Sequence, residues 1–145
     1  IYNHLGYAWL ENGLYTEQAG EMIKRANELA PGVAAYVDSL GLFHHVSGEY
    51  TLAERQFEQA WELLLSECAE NAVTPVAADA IILEHAARAK IALGKIPDAV
   101  ETLRKALQIA PANSVMQRLL EEITPPGNAR AAGENPATAK TSRSD

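Results

Sequence analysis

Cysteine is almost absent from this chain: Cys68 stands alone, so no internal disulfide can form, and one thiol is compatible with any redox compartment. No basic residue lies within several positions of it and Glu67 precedes it, which leaves nothing to activate a thiolate. Basic residues are outnumbered, 12 Lys and Arg against 19 Asp and Glu, for a net charge of −7. An acidic body of this kind disfavours binding to a phosphate backbone. Long apolar runs are also missing, and none approaches the roughly 20 residues that cross a bilayer. Signal peptide, Ser-centred elbow, Gly-rich phosphate loop and H-E-x-x-H spacing are all lacking, and no cofactor is expected. The chain begins at Ile1 without Met, a few residues into a helix, and reads as a piece of a longer protein whose compartment stays open, cytoplasmic or cell-envelope. Aromatics make up only 6% while apolar residues reach 48%, which leaves Ala and Leu to build the core and suits one soluble helical domain.

What the chain does have is internal repetition. Asp38 to Leu63, DSLGLFHHVSGEYTLAERQFEQAWEL, reads as two amphipathic helices joined at Ser47-Gly48. Leu40-Gly41, Gly48, Tyr50, Ala53, Phe57 and Ala60 match Leu5-Gly6, Gly13, Tyr15, Ala19, Ile23 and Ala26 one unit earlier. The step is 35 residues for the first four positions and 34 for the last three. A third copy, Gly94, Ile96, Ala99, Leu103, Ala106 and Pro111, follows 46 residues after the second. The excess of 12 over a 34-residue step is one insertion, near Ser66 to Pro75. Gly6 and Gly41 are expected where the first helix of a unit meets its partner closely, with Ala19, Ala53 and Ala99 as the small residues opposite. Pro31 and Pro111 end second helices because proline has no amide to donate.

These positions resemble the tetratricopeptide repeat (TPR) family, over nearly everything from Ile1 to about Ile123. The resemblance implies an all-α, right-handed superhelical solenoid of three helix-turn-helix hairpins and a C-terminal capping helix. The units are about 1–32, 33–69 and 76–111, with the capping helix at 113–123 and a disordered tail at 124–145. The pattern departs from the family at Leu65, where a terminating Pro is expected, so that helix should run on to about Cys68 or Ala69. Ala86, Ala87 and Lys90 replace Leu, Gly and the aromatic in the third unit. DSLG before an aromatic-rich helix is common in bacterial repeats of this family, which points to a bacterial origin.

Local signals add detail. Thr16 is expected to cap the second helix, and Thr51 with Glu54 to form a capping box. Val76 to Leu93 reads as one long helix, so that a lengthened hairpin would project beyond its neighbours. Pro97 is expected at the first position of the next helix, and Asn113 or Ser114 as the cap of the last, with Val115, Met116, Leu119, Leu120 and Ile123 on one face.

Candidate chemistry is sparse. His44, His45 and Glu49 could suggest a metal, but adjacent helical residues point about 100° apart, and His44 falls at a buried packing position. Glu84, His85 and Arg88 share a helix face and read as polar groove residues rather than catalytic ones. Trp9 and Trp61 read as packing residues. The chain is therefore expected not to be an enzyme.

In the family the first helices line a concave surface. The resemblance places Asn3, Tyr7, Leu10 and Glu11 there, then Ala35, Asp38, Leu42, His45 and Val46, then Ile81, Glu84, Arg88, Ile91 and Ala92. Members that grip a C-terminal carboxylate use Lys and Asn at set positions, which here hold Asn3, Tyr7, Ser39, Ile81 and His85, so that clamp is absent. The expected role is a protein-interaction scaffold holding a partner peptide or helix. Tyr7, Leu42 and Ile91 would be apolar anchors, and Asp38 and Glu84 would select positive charge. The rivals are self-association or docking within a larger protein, and a substrate-presenting module of a larger enzyme.

Overall fold

The structure is a computed structural model and describes residues 1–126. Seven helices follow in order: α1 Tyr2–Glu11, α2 Thr16–Leu29, α3 Ala34–Val46, α4 Tyr50–Glu70, α5 Ala80–Ala92, α6 Ile96–Ile109 and α7 Ser114–Ile123, with one 3₁₀ turn at Ala77–Asp79 before α5. No strand occurs among the described residues. Helices α1–α2, α3–α4 and α5–α6 form three hairpins, each packed on the next, and α7 lies against α6 at the end of the stack. The solenoid is all-α, as the repeat implied. The tail expected to be disordered lies, beyond residue 126, outside the described residues.

The hairpin turns are set by backbone chemistry. At Gly48 (φ 79°) the chain enters the left-handed region, the Glu49 amide donates to His44 O at 2.8 Å, and the Gly48 amide donates to His45 O at 3.0 Å. This paired arrangement satisfies carbonyls that the helix end would otherwise leave free. The same pair of bonds closes α5, through Lys95 to Lys90 O and Gly94 to Ile91 O. It also closes α4, where Val73 donates to Cys68 O at 2.9 Å and Ala72 to Ala69 O at 3.2 Å. There the left-handed residue is Ala72, φ 53°, without the freedom of glycine.

Several local expectations are corrected. Helix α2 starts at Thr16 itself, behind Tyr15 in a left-handed conformation, with no side-chain cap. Helix α4 starts at Tyr50, so Glu49 occupies the cap position and Thr51 lies inside the helix; no capping box forms. Glu54 instead turns inward and accepts from Lys95 Nζ at 2.7 Å, tying α4 to the start of α6. Pro97 is the second residue of α6, still within the turn whose amides have no helical partner. The third first-helix is not long. Helix α5 has 13 residues, and only α4, with 21, is extended. The inserted residues go into the end of α4 and the chain from Asn71 to Asp79. At the last helix Asn113 is the cap, its Oδ1 accepting from the Met116 amide at 2.9 Å.

Close helix approach rests on small residues. Ala19, Ala53, Ala60, Ala99 and Ala106 are fully buried. A Cβ on Gly41 would lie 2.5 Å from the Phe57 ring, so the helices could not keep their spacing. Phe57 is 1% exposed and fills the space that glycine leaves. The largest apolar cluster runs from Val37 of α3 through Trp61, Leu83 and Leu103 to Met116 of α7. A smaller one joins Leu10, Ala19 and Ile23 in the first hairpin, with Trp9 and Phe43 against it.

Candidate functional site

Helices α1, α3 and α5 carry the residues that the repeat register assigned to the concave face. The structure brings a charged set of them together. Asp38 of α3 accepts from His85 of α5, with Nδ1 at 2.9 Å from Oδ1 and 3.1 Å from Oδ2. Both residues are buried, and the pair joins two helices 47 positions apart in sequence. One turn along α5, Arg88 donates to Glu84 Oε1 through Nε at 3.0 Å and Nη2 at 2.9 Å. Glu84 is buried and Arg88 keeps much of its guanidinium in solvent. Asp38 and Glu84, expected to select a basic partner, are therefore already engaged by His85 and Arg88 of this chain.

Tyr7 of α1 faces the same set. Partial burial raises its phenol well above the usual range, and a hydrogen bond to Glu11 and the charges of Glu11, Asp38 and Glu84 add to the effect. The phenol stays protonated at neutral pH and serves as a donor. His45 lies half-buried, edge-on to Tyr50 with centroids 5.1 Å apart. Burial lowers its pKa, and His85 and Arg88 lower it further; its buried Nδ1 has no hydrogen-bond partner.

The remaining assignments divide. Leu10 is 4% exposed and sits in the first-hairpin core with Ala19 and Ile23, so it is corrected from groove residue to core residue. The reason is geometric: α1 rests on α2 through the face that carries Gly6 and Leu10. Leu42 is partly buried and packs against the first-hairpin cluster and against a second small one formed by Ala53, Phe57, Ala86 and Ala89. Ile91 is partly buried and Glu11 exposed. Asn3 is buried, yet it lines a cleft of about 610 Å³ at the amino-terminal ends of the three helices. That cleft takes in Tyr7, Asp38, Ser39 and Ile81, and Leu64 and Glu67 from the extended end of α4 form its wall.

Sequence reasoning missed three features here. His85 was read as a polar groove residue, but nothing in its helix marks the partner, which comes from another unit. Nor did the repeat pattern foretell that the insertion would wall a cleft. The third is Gly20, where a Cβ would lie 2.3 Å from the Phe43 ring of the next hairpin.

Metal ligation finds no support in the geometry. His44 Nδ1 lies 2.7 Å from Glu49 Oε2, within hydrogen-bond distance, and His45 points to Tyr50 instead. No cluster of three or more metal-ligating side chains occurs among the described residues. No helix among the described residues is long and apolar enough to cross a membrane. At the former clamp positions, Ser39 Oγ donates to Ala35 O at 2.9 Å and His85 is engaged by Asp38.

The fold is a three-hairpin helical-repeat solenoid, TPR-like in its architecture. Among solved structures, the first TPR of Spaghetti (RPAP3) bound to HSP90 peptide SRMEEVD superposes with a TM-score of 0.69, covering 92% of this chain and 94% of that one at 15% identity. At that identity the likeness speaks for the fold alone. No family model matches the sequence, and no curated protein does.

Proposed function

We propose that this chain is a protein-interaction module whose concave face holds an extended segment or a helix of a partner protein, without chemistry of its own. The observation that carries the reading is the continuous face across α1, α3 and α5, where a cleft of about 610 Å³ opens beside ordered polar pairs. Its volume lies within the roughly 300–1,000 Å³ of ligand sites. The neighbour of the same fold is described as bound to a peptide, which supports the same use of the surface here. The chemistry differs in one respect. SRMEEVD carries three acidic residues and a terminal carboxylate, whereas this face is itself acidic and lacks the cationic clamp. A partner with apolar anchors and positive charge suits it better.

Display-library selection on the chain, followed by affinity measurement, tests this. Ala35→Arg and Ala92→Arg place long cationic side chains on exposed positions at opposite ends of the face. Each should weaken the selected peptide by about tenfold or more, or roughly 1.4 kcal/mol, with helical circular dichroism unchanged. Undiminished binding in both variants would put the partner elsewhere. Leu42→Asp is a poor probe, because Leu42 supports two core clusters.

A second reading has its own observation. Tyr2, Leu5, Leu14 and Tyr15 at the first-hairpin end are 50, 40, 50 and 62% exposed. Exposed apolar residues at both ends of α1 suit self-association or docking within a larger protein, and a mass that rises with concentration in light scattering would put that reading first.

A further inference from the structure

The cleft at the helix starts has a lining that is one-sided in charge. Asp38, Glu67 and Asp79 bring carboxylates to it, and among the described residues no lysine or arginine lines it; His4 is the sole basic-capable group. Two of the three carboxylates are already engaged. Asp38 holds His85, and Asp79 Oδ2 accepts from the Val76 amide at 2.7 Å. Glu67 is exposed and forms no ion pair among the described residues. Beside it Leu64 and Ile81 offer apolar surface, Ile81 being 37% exposed.

Asn3 supplies an independent observation. The residue is only 7% exposed, and its buried carbonyl oxygen finds no donor within the protein. Buried acceptors are almost always paired; this oxygen is shielded from solvent in the resting structure, and a turn of the side chain would bring it to the cleft that Asn3 lines. Tyr7, held in its protonated form by burial and by the surrounding carboxylates, adds the face of a neutral ring. The wall also exposes the starts of α3 and α5, whose amides favour anions, but Asp79 and Asp38 already place negative charge there.

Resting on the groove reading above, we propose that this cleft is an arginine pocket for the partner segment. The aliphatic stem lies along Leu64 and Ile81. The guanidinium donates to Glu67 and to Asn3, whose side chain turns toward the bound group, and covers the Tyr7 ring. Arginine fits better than lysine because its planar fork serves several acceptors at once and is more weakly hydrated than an ammonium. The cleft is larger than one side chain, so residues flanking the arginine enter it too.

The test is an amide chemical-shift titration of the chain with Nα-acetyl-arginine methylamide, set beside the lysine, leucine and glutamate analogues at equal ionic strength. Saturable shifts confined to the amides around Asn3, Ala35, Leu64 and Ile81 are expected with arginine. The lysine analogue should bind at least about threefold more weakly, and leucine and glutamate should leave those amides unmoved. Glu67→Gln, on an exposed surface, should weaken the arginine analogue at least about threefold with the fold intact, and Asn3→Leu should do the same. No saturable response to arginine, or tighter binding of glutamate, overturns the assignment; the second result would also mean that the Asn3 amide presents its N–H to the cleft. The two readings fail separately. Selected peptides that bind through Ala35 and Ala92 while the arginine analogue does not bind sink the pocket and keep the groove. An arginine response with peptides indifferent to both Ala35→Arg and Ala92→Arg does the reverse.

Discussion

Gly20 and Phe43 show how much of this fold hangs on the absence of one carbon. Because a Cβ on Gly20 would meet the Phe43 ring at 2.3 Å, Gly20→Ala should destabilise the chain by about 1–3 kcal/mol, as overpacking does. Phe43→Leu made on top of it should recover part of that loss, and a double-mutant cycle in urea would read the coupling. Strict additivity would mean that the ring simply swings away. His45 makes a different prediction. Its pKa is lowered from 6.5, first by burial and then by His85 and Arg88. The unfolded chain then binds the proton more readily than the folded one, so stability is full above about pH 6.5 and falls as pH drops through that value toward the lowered folded pKa. His45→Gln should flatten this fall between pH 7 and 5, measured as urea midpoints against the parent. At this scale the sequence was legible where a residue type has one use: Gly41 at a close approach, the small alanines of the second helices, Asn113 as a cap. It was not legible where the partner comes from another unit, as with Asp38 and His85, Glu54 and Lys95, or Gly20 and Phe43.

Helix ends tell a similar story at the scale of elements. Wherever a glycine supplies the left-handed residue, as at Gly48 and Gly94, the stop could be read directly. At the end of α4 the same hydrogen-bond pair is formed around Ala72 at φ 53°, where the sequence has no glycine to mark the stop. A left-handed alanine costs about 1–2 kcal/mol, so Ala72→Gly should raise stability by roughly 0.5–1 kcal/mol once the greater freedom of unfolded glycine is subtracted. Ala72→Val should lower it, since a β-branched residue tolerates positive φ less well. Urea midpoints of the three proteins should therefore fall in the order glycine, alanine, valine; a reversed order would show that the turn relaxes out of the left-handed region at no cost. The strain stands next to the insertion that builds the cleft wall. Helix α4 has to stop there for Glu67 and Leu64 to face the starts of α3 and α5, and the repeat pattern carries no information about an added segment, which is why the long helix expected over Val76 to Leu93 proved to be a 3₁₀ turn and a helix of ordinary length.

The whole molecule is a stack in which each hairpin touches its neighbours, so its stability should be distributed along one dimension. The repeat spacing alone made that architecture readable, since no unit can bury both faces without the next. What spacing could not convey is that the stack is uneven. The main cluster spans α3 to α7, closed by Met116 at 1% exposure, while the first hairpin has the smaller set Leu10, Ala19, Ile23 and Ala26 as its buried apolar residues. The two tryptophans report on the two parts: Trp9 packs on the small cluster and Trp61 lies in the large one. Ile23→Ala, which should cost about 2–5 kcal/mol, ought to separate their signals in single-tryptophan variants, with Trp9 losing its native fluorescence at lower urea while Trp61 keeps its midpoint. Met116→Ala should cost a similar amount but move both reporters together, because the first hairpin leans on α3 through Phe43 and cannot outlast it. Coincident transitions in both variants would mean that the solenoid unfolds as one cooperative unit despite its uneven core. Separation after Met116→Ala would mean that the first hairpin stands alone, and that its exposed apolar residues, not the face shared with α3 and α5, are the surface to probe for contacts.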